Sequence, residues 1–515
     1  MIAAALLCVL LAAAPVAQAG TEKPTVKPGV QQPEAKKPEA AKPGAEKPGA
    51  QKPGAQKPEA KPTKQAPFIA GRQFYRLTTP DGSRFHLIVD PTIAHVHWAI
   101  ASWADGRDDP PGLPGLTMAA ANASLSGTWK TGSSDPEAER AALIKLDEAW
   151  QQQLAKPGDA EAAAEVVRRD KEAAALGDRR IFRRVLAAAP TFQPEIIDRD
   201  PLAVFVLTTL EPAIETVAKL LVERREEQVL RGLMRAWVPS VLARVQDHAS
   251  HPRQRLYAET LALLIPSSPT IARLEAPPFV APNRNQALAA WQASQHPTTT
   301  VHVLIGSFDP QSLKATLNKV FSETKLIAPT RRQQPPRPLR GQRRSIVPGM
   351  PSGGGVIAWV LPPENDPTAL ELARRWLISD NGPLLRPLAR KRPNLVIDCR
   401  VPWPTVTGGR SLLLLDIQDP NGKPGVIDEV LATCRKICAK PFSTGLFYRT
   451  FLEQTRDWNR EADSPRAIAA LLAERALVWP STKLNQLAPG YRKGTQVYPI
   501  LKAVFASHPA IVEVK

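Results

Sequence analysis

After residue 19 the sequence has no apolar run approaching the roughly 20 residues that cross a bilayer, so no later membrane span is expected. Cysteine is scarce, at four in 515 residues. Cys8 sits in the N-terminal apolar run with no lipobox before it, which argues against a lipid anchor. Cys399, Cys434 and Cys438 remain, and an odd number leaves at least one thiol unpaired. Cys434 and Cys438 lie four apart on an expected helix, adjacent but poorly placed for an S–S bond. The spacing favours buried small residues; a bridge from Cys399 to one of the pair is the alternative. No His or carboxylate stands at ligand spacing beside them, so they do not read as a metal site. There is no G-x-S-x-G, and no Cys has a nucleophile's context. The run Ser352-Gly353-Gly354-Gly355 lacks the Lys and Ser/Thr of a phosphate loop and reads as a turn into a strand. Helix-turn-helix, zinc-finger and RNA-binding patterns are also missing, so the net charge of +18 does not imply a nucleic-acid partner. The excess is spread along the chain and thickens in Arg331-Arg332-Gln333-Gln334 and Arg340-Gly341-Gln342-Arg343-Arg344. Anionic envelope material is the more natural counterpart of such a protein if it is exported.

Export is what the N-terminus predicts. Residues 1–19 form an Ala- and Leu-rich run ending Ala17-Gln18-Ala19, a small-x-small cleavage pattern, so 1–19 reads as a signal peptide cut before Gly20. The run has no Lys or Arg before it, which keeps an uncleaved anchor as the alternative. The expected location is the periplasm or the cell surface. Residues 20–71 repeat a Lys-Pro-Gly-Ala theme, as in Lys42 to Ala45 and Lys47 to Ala50. Such composition cannot bury a core, and its prolines favour an extended polyproline II spacer, so the segment reads as a disordered tether. Folded sequence begins near Arg72. Phe74 to Thr79 and Arg84 to Asp90 alternate as strands around Pro80-Asp81-Gly82-Ser83, and Ala94 to Ser102 is a third strand. Asp135 to Leu176 is charged and helical with a break at Pro157-Gly158-Asp159, which predicts a solvated helical hairpin. Strands and helices then continue in mixed order in two cycles, separated by a Pro- and Arg-rich linker at 328–347. That order argues an α+β fold.

One stretch carries more information than the rest: Gly115-Leu116-Thr117-Met118-Ala119-Ala120-Ala121-Asn122-Ala123-Ser124-Leu125-Ser126-Gly127-Thr128. It resembles the metal helix of the insulinase/pitrilysin-type zinc peptidases, the inverted zincins, which reads roughly G-L-A-H-x-x-E-H-x-x-F-x-G-T. Other landmarks follow in order. Thr79-Pro80-Asp81-Gly82 through Val89 resembles the family's opening hairpin. Gly106 to Leu116 resembles the approach to the metal helix, Ile305-Gly306-Ser307-Phe308-Asp309-Pro310 a V-G-D-F-D-P turn, and Asn381 to Leu388 the G-x-x-S-R-L turn of a second half. The resemblance implies two similar insulinase-type halves, 72–327 and 348–515, joined by the 328–347 linker, with a degenerate metal helix at 114–126 and a charged insert at about 135–176.

The same resemblance locates what is missing. The two His ligands align with Met118 and Asn122, and the general base with Ala121. The third ligand, a Glu on a later helix, falls at Leu242 or Ala243, and Pro239 is expected to interrupt that helix. A thioether and an amide are poor zinc ligands, and a methyl group cannot take a proton. The Tyr and Arg that hold substrate backbone in many members align with Val396 and with Ala389, beside Arg390. The expectation is a pseudo-metallopeptidase with no catalytic residue, no metal and no cofactor, a non-catalytic partner or peptide-holding scaffold for an active zinc peptidase. Two alternatives stand beside it. A residual metallopeptidase would use His95 with His97, expected to alternate on one strand, or His248 with His251 and Asp247 on a helix. An envelope-binding scaffold would act through the tether. Trp403, between Pro402 and Pro404, reads as a turn-packing aromatic rather than a contact residue.

Overall fold

The computed structural model describes residues 72–104, 109–110, 113, 115–188, 191–199, 202–250, 252–264, 281–322, 339–347, 353–361, 367–401, 412–421, 424–437, 444–479 and 494–514. The expected leader and tether at 1–71, His251, residues 323–338 with the first part of the expected linker, Ser352, Trp403 and Cys438 lie outside that set.

The chain opens with a hairpin of β1 (Gln73–Thr78) and β2 (Arg84–Val89). Its turn closes because Gly82 takes φ +85° and the Asp81 carboxylate accepts from Thr79 Oγ1 at 2.6 Å and the Ser83 N–H at 2.9 Å. Strand β3 (Val96–Trp103) and helix α1 (Leu116–Ala123) follow. A helical hairpin comes next, α2 (Pro136–Ala155) and α3 (Ala160–Leu176). Asp135 and Asp159 cap the two helices by accepting from their first-turn N–H groups, and Gly158 at φ +92° makes the break. The hairpin is not simply a solvated surface feature. Leu143, Leu146, Trp150 and Leu154 of α2 are buried in the same apolar cluster as α1, because a helix carrying that stripe must cover it.

The first half continues through α4 (Ile181–Ala188), β4 (Thr191–Arg199) and β5 (Leu202–Thr209), then α5 (Ile214–Glu226) and α6 (Leu233–Ser250). After these come α7 (Pro252–Leu264), α8 (Arg284–Gln295), β6 (Thr300–Gly306) and α9 (Pro310–Val320). Pro239 does not interrupt its helix: α6 runs through it. Proline removes one backbone donor there, and burial of the neighbouring Trp237, Val238 and Val241 offsets the cost.

The second half comprises β7 (Arg343–Val347), β8 (Gly353–Val360), α10 (Pro367–Ile378), α11 (Leu385–Ala389), β9 (Val396–Arg400) and β10 (Leu412–Asp419). It ends with α12 (Val426–Ile437), α13 (Thr444–Glu461), α14 (Pro465–Val478), α15 (Gly494–Ala506) and β11 (Ala510–Val514). The last five residues of the expected linker are therefore strand: β7 pairs in parallel with β11 and finds its hydrogen bonds in the second sheet.

Strand order shows the relation between the halves. The first sheet runs β1-β2-β6-β3-β5-β4 and the second β7-β11-β8-β10-β9. Apart from the added β1, the orders correspond strand for strand, with one parallel pair (β2 with β6, β7 with β11) followed by antiparallel pairs. Each half also lends a helix to the other. Helix α14 lays Ile468, Leu472 and Ala476 on the face of the first sheet formed by Ala99, Val204 and Val303. Helix α7 lays Leu256, Leu261 and Leu264 on the second sheet's Val356, Leu414 and Val512. Neither sheet can bury that face alone, so the two halves complete one another's cores.

Candidate functional site

Helix α1 is built by its flanks. Gly115 precedes it at φ +75°, in the left-handed region that Gly tolerates best. The buried Asp109 carboxylate accepts the Gly115 N–H, the Thr117 N–H at 2.8 Å and Thr117 Oγ1 at 2.7 Å, and so caps the first turn. At the other end Gly127 takes φ +95°, and a Cβ there would lie 2.6 Å from the Thr131 carbonyl oxygen. Below that end the buried Arg231 binds Glu139 of α2, at 2.9 Å for one contact, and donates to the Ser126 and Thr128 carbonyls at 2.8 and 3.1 Å. Arg224, also buried, donates to Ser124 Oγ at 2.6 Å and lies 4.5 Å from the Phe205 ring and 4.6 Å from that of Trp291. Burial pushes the Arg224 guanidinium down to about 9.

Inside this frame three of the positions that align with the ligands and the base, Met118, Ala121 and Leu242, are apolar. Met118 is 4% exposed and Ala121 2%, both in a cluster with Met234, Trp237, Val238 and Trp291. Leu242 of α6 packs against the same cluster, so the helices that would bring three ligands together do meet, through hydrocarbon and the thioethers of Met118 and Met234. Asn122 alone is exposed, facing a cavity of about 580 Å³ that Leu125, Ser126 and Gly232 also line. Ala243 lies on α6, but its side chain is outside the described set. Zinc needs three or four N, O or S donors converging at about 2.0–2.3 Å. Met118, Ala121, Asn122 and Leu242 do not fit it, and among the described residues no three His, Cys, Asp or Glu side chains are grouped to hold a metal ion.

His95 and His97 do not share a strand. His95 precedes β3 and is exposed, rather than alternating with His97 on the strand. His97 is half-buried, with Nδ1 2.9 Å from Thr208 Oγ1 on the paired strand β5. Burial first, then the nearby His95 and Arg466, hold it down at about 4, so it is neutral at ordinary pH. The His248 side chain lies outside the described residues. In the second half Val396 is half-exposed at the start of edge strand β9, Ala389 closes α11, and Arg390 is exposed. The glycine run belongs to the sheet. Gly354 and Gly355 lie on β8, where a Cβ would meet the Ile417 and Val512 carbonyl oxygens at 2.2 and 2.3 Å. Cys399 is a buried free thiol whose ionisation burial pushes up out of reach, and Cys434 is buried in the same core.

No protein-family model and no curated protein matches the sequence. Solved structures match in shape. A peptidase M16 inactive domain from Pseudomonas fluorescens has a TM-score of 0.60 at 12% identity, over 86% of this chain and 97% of that one. A protease from Helicobacter pylori has a TM-score of 0.58 at 12% identity, over 86% and 100%. Pitrilysin has a TM-score of 0.55 at 12% identity, over 88% of this chain and 46% of its own, so this chain spans about half its length. The two-half α+β architecture is thus shared with peptidases. It is the M16-type fold, the insulinase/pitrilysin-type unit that the sequence landmarks implied.

Proposed function

We propose that this chain is a catalytically silent insulinase-type unit, exported and tethered, that serves as the non-catalytic partner or peptide-holding scaffold of an active zinc peptidase. The observation that carries the reading is the division within α1 and its surroundings. The groups that shape the helix (Gly115, Asp109, Gly127 and Arg231) each have a folding role that needs no metal. Of the positions that align with the ligands and the base, Met118, Ala121 and Leu242 are packed as core, while Asn122 is exposed. The similarity in shape to an M16 inactive domain supports the same direction. Strand β4 is the edge of the first sheet beside α1, which suits an extended peptide added as a further strand. The test is affinity capture of the full chain from its native host under mild conditions. The reading expects a homologue that carries a complete zinc motif to come with it in stoichiometric amount. Recovery of the chain alone, at native expression level and after crosslinking, overturns the partner role.

A further inference from the structure

The cavity that Asn122 faces has a second property. Six arginines line it, Arg179, Arg180, Arg183, Arg184, Arg231 and Arg235, and among the described residues no acid does. Three carboxylates lie behind them. Glu139 is committed to Arg231, Asp170 is shared by Arg179 and Arg235, and Asp178 pairs with Arg184. Among the described residues, six guanidiniums face three carboxylates, which leaves three positive charges uncompensated, and Arg180 and Arg183 have no carboxylate partner. The local sequence produces this wall. Helix α4 buries Phe182 and Leu186, and the three- and four-residue spacing then sets Arg180, Arg183, Arg184 and Ala187 together on the face toward the cavity. Like charges at this density oppose one another unless an anion sits among them.

We propose that this cavity is a binding site for a compact polyanion bearing clustered phosphate groups, either a soluble phosphate compound or the phosphorylated headgroup of a lipid. The guanidinium fork matches phosphate oxygens in pairs, and several forks around one opening select a multivalent anion over a single carboxylate. The volume of about 580 Å³ is that of a small-molecule site. The Asn122 amide adds an uncharged donor at the wall, so the ligand position that cannot hold zinc takes on a different role in the same place. The inference stands whether or not the chain has a catalytic partner.

The test is calorimetric titration of the full chain with sodium tripolyphosphate at matched ionic strength, beside co-sedimentation with phosphatidylcholine vesicles carrying a bisphosphorylated inositol lipid. The comparison variant is Arg180→Glu with Arg183→Glu, both exposed side chains, with circular dichroism confirming its fold. Saturable binding to tripolyphosphate that falls roughly ten-fold or more in the double variant supports a soluble ligand, and vesicle binding with the same sensitivity supports the lipid source. Absence of saturable binding to both probes, an affinity unchanged in the double variant, or tighter binding to a poly-glutamate peptide than to either probe overturns the proposal.

Discussion

Replacing Met118 by alanine distinguishes a retained scaffold from a disguised active site. If the position is core, its side chain beyond Cβ is a structural element and removing it opens a cavity. Met118 is 4% exposed and lies among Met234, Trp237 and Trp291 of α6 and α8, helices that cannot collapse freely because Arg284 of α8 is bound to Asp147 of α2 at 2.8 Å and Arg231, just before α6, to Glu139 of α2. Large-to-small changes at such sites cost about 2–5 kcal/mol, and the better helix propensity of alanine returns only a few tenths. Asn122, which aligns with the other ligand in the resemblance, behaves oppositely: it is exposed, so Asn122→Ala is expected within about 0.5 kcal/mol of the parent. Urea unfolding followed by tryptophan fluorescence measures both, because Trp150, Trp237 and Trp291 report on this cluster. The expected result is a lower midpoint with an unchanged slope for Met118→Ala and a near-parental curve for Asn122→Ala. A Met118→Ala protein as stable as its parent, or a larger loss for Asn122→Ala, refutes the assignment of this helix as packed scaffold.

Two further outcomes follow from the same structure. Gly127→Ala should cost clearly more than Gly158→Ala, since both glycines have positive φ but only Gly127 would bring a Cβ against backbone; Gly158 opens on space, so its change costs about 1 kcal/mol. Equal losses in urea midpoints would remove the close-approach explanation for Gly127. Acid should also weaken the fold early. Burial holds His302 at about 3 and His86 and His97 at about 4, against an ordinary 6.5, so the unfolded chain binds more protons between those limits. Stability is then full above about pH 6.5 and falls as pH drops toward 4, and below about 4.5 the loss of the Arg374- and Arg375-paired Glu371 carboxylate, held at about 2, adds to it. The urea midpoint against pH checks this, with His302→Gln expected to flatten the upper part of the curve; a midpoint that is constant or rises from pH 7 to 5 contradicts it.

Much of the fold was legible because its signals are local. The hairpin around Asp81 and Gly82, the break at Gly158 between capped helices, and the runs of β6, α10 and β11 follow from turn residues and periodicity. Strand β4 was hidden because Pro194 lies in it and its pairing with β5 shifts register between Phe192 and Glu195. Strand β7 reads as linker because its exposed face is Arg-rich, and only β11, far along the chain, makes it a strand. Helix α8 carried a readable signal, the Asn283 and Gln286 capping box, in an alanine-rich run that lacks a strong apolar stripe. The exchange of α7 and α14 between the sheets, and the meeting of α1, α4 and α6 around the arginine cavity, are long-range packing that no window of sequence contains. At the site, the resemblance is what singled out the helix and the positions expected to be substituted. The Arg179-Arg180 and Arg183-Arg184 pairs were the available trace of the cavity, and they gain meaning only from what stands opposite them.

Zinc content of the purified full chain tests the central claim most directly. Measured by mass spectrometry after dialysis against excess zinc, the account predicts far less than stoichiometric metal and no change in unfolding midpoint on adding zinc. Stoichiometric zinc that raises the midpoint and is lost in Asn122→Ala would contradict it.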